Sequence, residues 1–95
     1  MILGYRDSDT RAFAEGRRIR AFQGFERQAA KRLSILNAAP SLDTLRSLRS
    51  NRLETLRGDR AGQYSIRINR QWRLCFEWPQ DRPGPHNVEI VDYHE

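Results

Sequence analysis

The spacing of apolar residues changes along the chain, from a helical period in the first half to a period of two in the second. One run recurs at intervals of three or four residues, which predicts a single helix face: Phe22, Phe25, Ala29, Leu33 and Leu36. A shorter helix is predicted over 10–15, before Gly16, and another turn or two over 42–48. The apolar opening at 2–5 predicts a strand.

Beyond residue 50 the apolar positions alternate with polar ones, which is typical of strands. Tyr64, Ile66 and Ile68 form one such run, and a second run over 72–78 follows a turn at Asn69. These two runs predict a β-hairpin, and a final strand is predicted over 88–91. The element order predicts an α+β fold with helices packed on one face of a small, mostly antiparallel sheet.

The hairpin pattern also places two arginines. Arg67 and Arg73 fall between the large apolar residues of their runs, so their side chains are predicted on the opposite face from those residues. If the apolar residues cover the helices, both arginines project from the exposed face of the sheet.

Charge is distributed unevenly along the 95 residues, which fit a single domain spanning 1–95. Residues 1–73 carry a net charge of +9 and residues 74–95 a net charge of −4. The bases are sixteen arginines and one lysine, Lys31. Arginine suits bidentate phosphate recognition, although the codon usage of a GC-rich genome would give the same excess. No apolar stretch has the length of a membrane span, so a cytoplasmic protein is expected.

The single cysteine, Cys75, excludes an internal disulfide and a multi-cysteine zinc site. Its neighbours Leu74 and Phe76 indicate a structural role. Strict alternation nevertheless puts Cys75 on the face of Arg73, where positive charge would favour a thiolate. The acidic residues show no clustered ligand spacing, so neither a metal nor another cofactor is expected.

Two motifs resemble a known family. The pattern L-x-G-D-R-x-G-x-x-S-I-R-x-N-x-x-W-R runs from Leu56 to Arg73, and V-x-I-V-D-Y-H runs from Val88 to His94. Together they resemble the HigB-type toxins of the RelE/ParE superfamily, and the matching element order extends the resemblance over nearly the whole chain. It implies a RelE-like fold and the toxin half of a type II toxin–antitoxin module.

The resemblance further implies an mRNA interferase, an endoribonuclease that cleaves mRNA on the ribosome with the RNA 2′-OH as nucleophile and without a metal. The implied partners are the ribosome, mRNA and a HigA-type helix-turn-helix antitoxin, with operator DNA bound only through that antitoxin. Such a reaction needs a base, positive charge at the phosphate and an acid for the leaving oxygen.

The candidate site residues follow from the matched motifs. Arg67 and Arg73 suit the phosphate, and Arg57 and Arg60 are further RNA-binding candidates. The ending Asp92, Tyr93 and His94 matches the family's catalytic D-Y-H, in which histidine can act as acid or base near neutral pH.

Glu54 stands where some HigB toxins have histidine. It is a candidate general base or, equally, an ion-pair partner of Arg52 or Arg57. Among so many arginines an ionised Glu54 would be a weak base, and slower cleavage would follow.

Two other functions remain open from the sequence. A ParE-type gyrase poison would use the same fold without RNA-cleaving residues, and the D-Y-H ending argues against it. A non-catalytic RNA- or ribosome-binding module would use the arginines alone. The basic residues Arg27, Lys31 and Arg32 on the predicted helix are candidate contacts for an acidic antitoxin surface.

Overall fold

The structure is a computed structural model, and it describes residues 1–92. Three helices precede a four-stranded sheet. The helices are α1 (Ser8–Ala14), α2 (Glu26–Ala38) and α3 (Leu42–Ser47), and the strands are β1 (Glu54–Thr55), β2 (Tyr64–Arg67), β3 (Trp72–Glu77) and β4 (His86–Asp92). Single 3₁₀ turns occupy Arg20–Phe22, Arg49–Asn51 and Gly58–Arg60.

The strands pair in chain order, β1-β2-β3-β4, and every pair is antiparallel. The predicted α+β fold is confirmed and is consistent with RelE-like toxins. The N-terminal strand is reduced to one parallel bridge between Tyr5 and Val88. Few residues are available for pairing because the chain turns into α1 at Ser8.

The core lies between α2 and the inner face of the sheet. Ala29, Leu33 and Leu36 are buried on one face of α2, as the spacing predicts. Phe22 and Phe25 are also buried, but they precede the helix, which begins only at Glu26. Gly24 separates them with a φ of +97°, a left-handed conformation that ends any continuous helix at this point.

The hairpin forms where the alternation predicts it. Asn69 accepts hydrogen bonds at its Oδ1 from the backbone N–H groups of Gln71 and Trp72, at 2.8 and 2.7 Å, and so closes the turn. The resulting register places Arg67 directly opposite Arg73.

A buried asparagine fixes the segment that leads into β1. Asn51 is fully buried; its Nδ2 donates to the Leu45 carbonyl at 3.0 Å, and its Oδ1 accepts from Arg32 at 2.8 Å. The next residue, Arg52, has a left-handed backbone with φ of +46°. Helix α2 therefore holds this turn through Arg32, and the turn delivers Arg52 and Glu54 to the sheet edge.

Candidate active site on the outer face of the sheet

The side of the sheet that faces away from the helices carries a row of polar residues, which we call the outer face. Successive cross-strand pairs join Glu54 to Ser65, Ser65 to Cys75 and Cys75 to Glu89. Two residues after Ser65 on β2, and therefore on the same face, Arg67 pairs with Arg73 of β3. Like charges directly opposite each other destabilise a sheet. An anionic ligand bound between the two arginines would offset that repulsion, because it meets the positive potential of both.

Arg73 is the most firmly held residue of the outer face. Its Nε donates to Ser65 Oγ at 3.0 Å, and its Nη2 donates to the Arg52 carbonyl at 2.8 Å. The same Nη2 lies 2.9 Å from the Glu54 carboxylate, and only 13% of the Arg73 side chain is exposed. Burial lowers the pKa of Arg73 below its usual value, while the Glu54 carboxylate opposes that shift. The guanidinium is thus oriented on three sides before any ligand arrives.

Glu54 is more exposed than its partner, with 45% of its side chain accessible. From the sequence, Glu54 was a candidate general base or an ion-pair partner of Arg52 or Arg57. In the structure Glu54 forms its ion pair with Arg73 instead. A carboxylate in this place neutralises Arg73 in the free protein, and a phosphate bound by Arg73 would lie beside it.

The other candidate arginines differ in how they are held. Arg67 is half-buried and donates through Nε to the Asn69 carbonyl at 3.2 Å; among residues 1–92 this is the one hydrogen bond of its guanidinium, which leaves both Nη groups for a ligand. Arg57 is exposed at the start of the 3₁₀ turn. Arg60 donates to Gln63 at 3.0 Å and to Glu89 at 3.2 Å, and so ties that turn to β4.

Cys75 does not have the thiolate character that its position suggested. It is fully buried, and burial raises the pKa of its thiol to about 11, outweighing the opposing effects of Arg60 and Arg73. The nearby arginines do favour a thiolate, as expected, but burial outweighs them and keeps the thiol protonated, which supports the structural role.

Asp92 lies one position out of step with the arginines. It pairs across the sheet with Trp72, whereas Arg73 pairs with Val91, so the backbone register puts Asp92 on the other face. Its carboxylate accepts a hydrogen bond from Gln71 Nε2 at 2.8 Å. Tyr93 and His94 lie outside the described residues.

Ser65 and Asn51 support the site although the sequence did not single them out. Ser65 is two residues before Arg67, so strand alternation puts it on the same face and could have revealed it. Asn51 had no such signal, because its partners Leu45 and Arg32 come from two different helices.

The chemistry available at this site is that of charge and hydrogen bonding. Within the described part of the chain, no group of three or more His, Cys, Asp or Glu side chains could hold a metal ion. None of the helices in residues 1–92 is long and apolar enough to cross a membrane. What the geometry supplies is a pair of guanidinium groups with a carboxylate beside one of them.

The helices packed on one side of an antiparallel sheet, with paired arginines on the other, define the chain as an α+β protein consistent with RelE-like toxins. The sequence model of a family described as "RelE-like toxin of type II toxin-antitoxin system HigB" matches residues 5–94. The chain therefore belongs to the HigB-like toxin family.

A curated relative agrees with this assignment. The chain is 46% identical over 48 residues to Toxin HigB-1 of Vibrio cholerae serotype O1. That alignment covers 50% of this chain and 50% of the relative, so the chain matches about half of the relative's length.

Proposed function

We propose that the protein is a ribosome-dependent mRNA endoribonuclease whose active site is the outer face of the sheet. The observation that carries the proposal is the Arg67–Arg73 pair, with the Glu54 carboxylate 2.9 Å from Arg73. Two guanidinium groups can fork around the oxygens of one phosphate, and the neighbouring carboxylate can accept a proton.

The proposed reaction begins with attack of the RNA 2′-OH on the adjacent phosphorus. Arg73 and Arg67 stabilise the charge that develops on the non-bridging oxygens. Glu54 takes the 2′-OH proton once the phosphate has displaced it from Arg73. The P–O5′ bond breaks, a 2′,3′-cyclic phosphate forms, and the leaving 5′-oxygen receives a proton.

The remaining proposed site residues lie in the C-terminal motif, and their roles come from its resemblance to the family. His94 is the proposed proton donor to the 5′-oxygen, and Tyr93 is proposed to stack on a base or orient the phosphate. Asp92 is a proposed positioning residue, because its register puts it on the face opposite Arg73. Arg57 and Arg60 are proposed to bind flanking phosphates.

The proposed setting is the cytoplasm, where the toxin meets translating ribosomes. Its partner is proposed to be a HigA-type helix-turn-helix antitoxin, with operator DNA bound only through it. Most of the RNA affinity would come from phosphate contacts, so binding should weaken steeply as salt is raised.

A non-catalytic RNA- or ribosome-binding module is the second candidate. Two observations favour it. The Arg73 guanidinium is already bound by Glu54, Ser65 and the Arg52 carbonyl. Asp92 lies on the other face of the sheet. Such a module would bind phosphates through its arginines and leave the transcript intact.

The experiment is primer extension on a defined transcript in a purified translation system, with and without ribosomes. We expect new 5′ ends only when the wild-type protein and translating ribosomes are both present. Intact transcripts on ribosomes that bind the protein would support the module instead. Loss of gyrase supercoiling activity with intact mRNA would support the ParE-type alternative.

A further inference from the structure

A second group of charged residues lies on the outer face at the edge formed by β4. The N-terminal segment runs beside β4 through the bridge between Tyr5 and Val88. Tyr5 packs against the core, so the side chain of the next residue, Arg6, falls on the outer face. The Arg6 backbone N–H donates to the Val88 carbonyl at 2.9 Å, which fixes Arg6 beside Glu89. The row of outer-face residues therefore continues past β4 to Arg6.

Glu89 is the carboxylate of this group, and two arginines approach the same oxygen of it. Arg60 Nη1 lies 3.2 Å from Glu89 Oε1, and Arg6 Nε lies 3.8 Å from that atom. We call these three residues the β4 cluster. The Glu89 side chain is only 19% exposed. One negative charge cannot neutralise two guanidinium groups, so the β4 cluster retains an excess of positive charge.

The two arginines of the β4 cluster are held differently. Arg60 also donates to Gln63 at 3.0 Å, so Arg60 is the residue that ties the 3₁₀ turn to β4. The Arg6 side chain is 51% exposed, and its guanidinium makes no hydrogen bond within residues 1–92. An exposed ion pair of this kind contributes little to stability. Holding the turn therefore does not account for Arg6, whose guanidinium is available to a ligand.

The β4 cluster adjoins the proposed active site. Glu89 pairs across the sheet with Cys75, which is two residues from Arg73 on β3. Glu89 and Arg73 are thus separated by about 7 Å along the strands and about 5 Å across them. Burial raises the pKa of the Cys75 thiol to about 11, and the arginines that oppose this rise are Arg60, Arg73 and Arg6. All three guanidinium groups therefore act on one point of the outer face, and positive charge is continuous from Arg73 to Arg6.

We propose that Arg6 and Arg60, held together by Glu89, form a second phosphate subsite for the backbone of single-stranded RNA. Proteins bind single strands through positively charged surface that follows the backbone. An RNA strand with one phosphate on the Arg67–Arg73 pair would place a neighbouring phosphate at Arg6. The proposal rests on the proposed function only in that substrate RNA binds the outer face, and it requires no cleavage.

The test measures how salt weakens binding to a short single-stranded RNA, by fluorescence anisotropy in the absence of ribosomes. The RNA carries 2′-O-methyl groups, so it has no nucleophile and stays intact. Arg6→Gln removes one positive charge and keeps the backbone hydrogen bond of residue 6. Arg6→Lys keeps the charge. The matched control is Arg27→Gln, which makes the same change at an exposed position of α2, on the other side of the sheet.

Each phosphate contact with a single strand contributes about 0.7 to the slope of log K against log salt concentration. Arg6→Gln should reduce the magnitude of that slope by about 0.7, which weakens binding about fivefold at roughly 0.1 M salt if affinities are equal near 1 M. Arg6→Lys and Arg27→Gln should each keep the wild-type slope to within about 0.2. Circular dichroism and thermal unfolding show that each variant is folded.

An unchanged slope in Arg6→Gln, an equal fall in Arg27→Gln, or no recovery in Arg6→Lys would overturn the inference. So would a wild-type protein that does not bind the RNA. If Arg6→Gln binds free RNA normally and loses affinity only for ribosomes without mRNA, the inference is also overturned and Arg6 is assigned to ribosomal RNA. Wild type that shows the expected slopes but cleaves no mRNA on ribosomes would support the subsite and contradict the proposed enzymatic function alone.

Discussion

The side chain of Asn51 is expected to be among the most important single contributions to stability outside the apolar core. It is fully buried and joins three parts of the chain, because it donates to the Leu45 carbonyl and accepts from Arg32. The perturbation is Asn51→Ala, which removes both hydrogen bonds and leaves the groups they satisfied without this partner.

The magnitude follows from the two bonds. The neutral bond to Leu45 contributes about 1 kcal/mol net, and the bond from the charged Arg32 about 1.5–3 kcal/mol. Their loss should lower the free energy of unfolding by about 2.5–4 kcal/mol. For a domain of this size, about 4–8 °C of melting temperature corresponds to each kcal/mol, so a fall of roughly 10–30 °C is expected.

The assay is thermal unfolding followed by circular dichroism, with Asn37→Ala as the matched control. Asn37 is an exposed asparagine that accepts one backbone hydrogen bond, from Ile2, so its loss should cost less than about 1 kcal/mol. The reasoning is refuted if Asn51→Ala melts within about 3 °C of the wild type, or no lower than Asn37→Ala.

Three further changes test other parts of the structure. Thr10→Val removes the buried hydroxyl that accepts from the Ile90 N–H at 3.0 Å, and should lower the free energy of unfolding by about 1–3 kcal/mol in urea titrations; no change would show that this bond is dispensable. The buried Cys75 thiol has its pKa raised to about 11, so the unfolded chain, whose thiol ionises near pH 8.5, loses that proton first as pH rises. Wild-type stability should therefore fall relative to Cys75→Ala by about 1.4 kcal/mol per pH unit from roughly pH 8.5 to 11, and parallel curves in urea would contradict this. Glu54→Gln should release Arg73, raise RNA affinity several-fold and slow single-turnover cleavage about 100-fold or more; faster cleavage would exclude Glu54 as the base.

The sequence was sufficient for the elements whose pattern is local. The spacing of Ala29, Leu33 and Leu36 gave the buried face of α2, and the alternation around Asn69 gave the hairpin and the shared face of Arg67 and Arg73. The start of α2 was misplaced because Phe22 and Phe25 keep the helical spacing through a segment that Gly24 interrupts. Both phenylalanines enter the core without being helical.

The contacts of the site depend on pairing between distant segments, which a local pattern does not encode. The Glu54–Arg73 ion pair requires β1 to pair with β2 across the intervening 3₁₀ turn, and the Asn51 turn requires Arg32 from α2. The face of the sheet on which Asp92 lies could have been predicted from the sequence. Val88 and Ile90 point inward, and strand alternation puts Asp92 on the same face as these two residues.

The most direct test of the central claim is the rate of ribosome-dependent mRNA cleavage by Arg73→Ala, measured by primer extension in a purified translation system. Arg70→Ala is the control, because Arg70 is exposed in the turn of the same hairpin. With both variants shown to be folded, we predict a rate at least about 100-fold below wild type for Arg73→Ala and a nearly unchanged rate for Arg70→Ala. Equal cleavage by wild type and Arg73→Ala would contradict the assignment of the outer face as the active site.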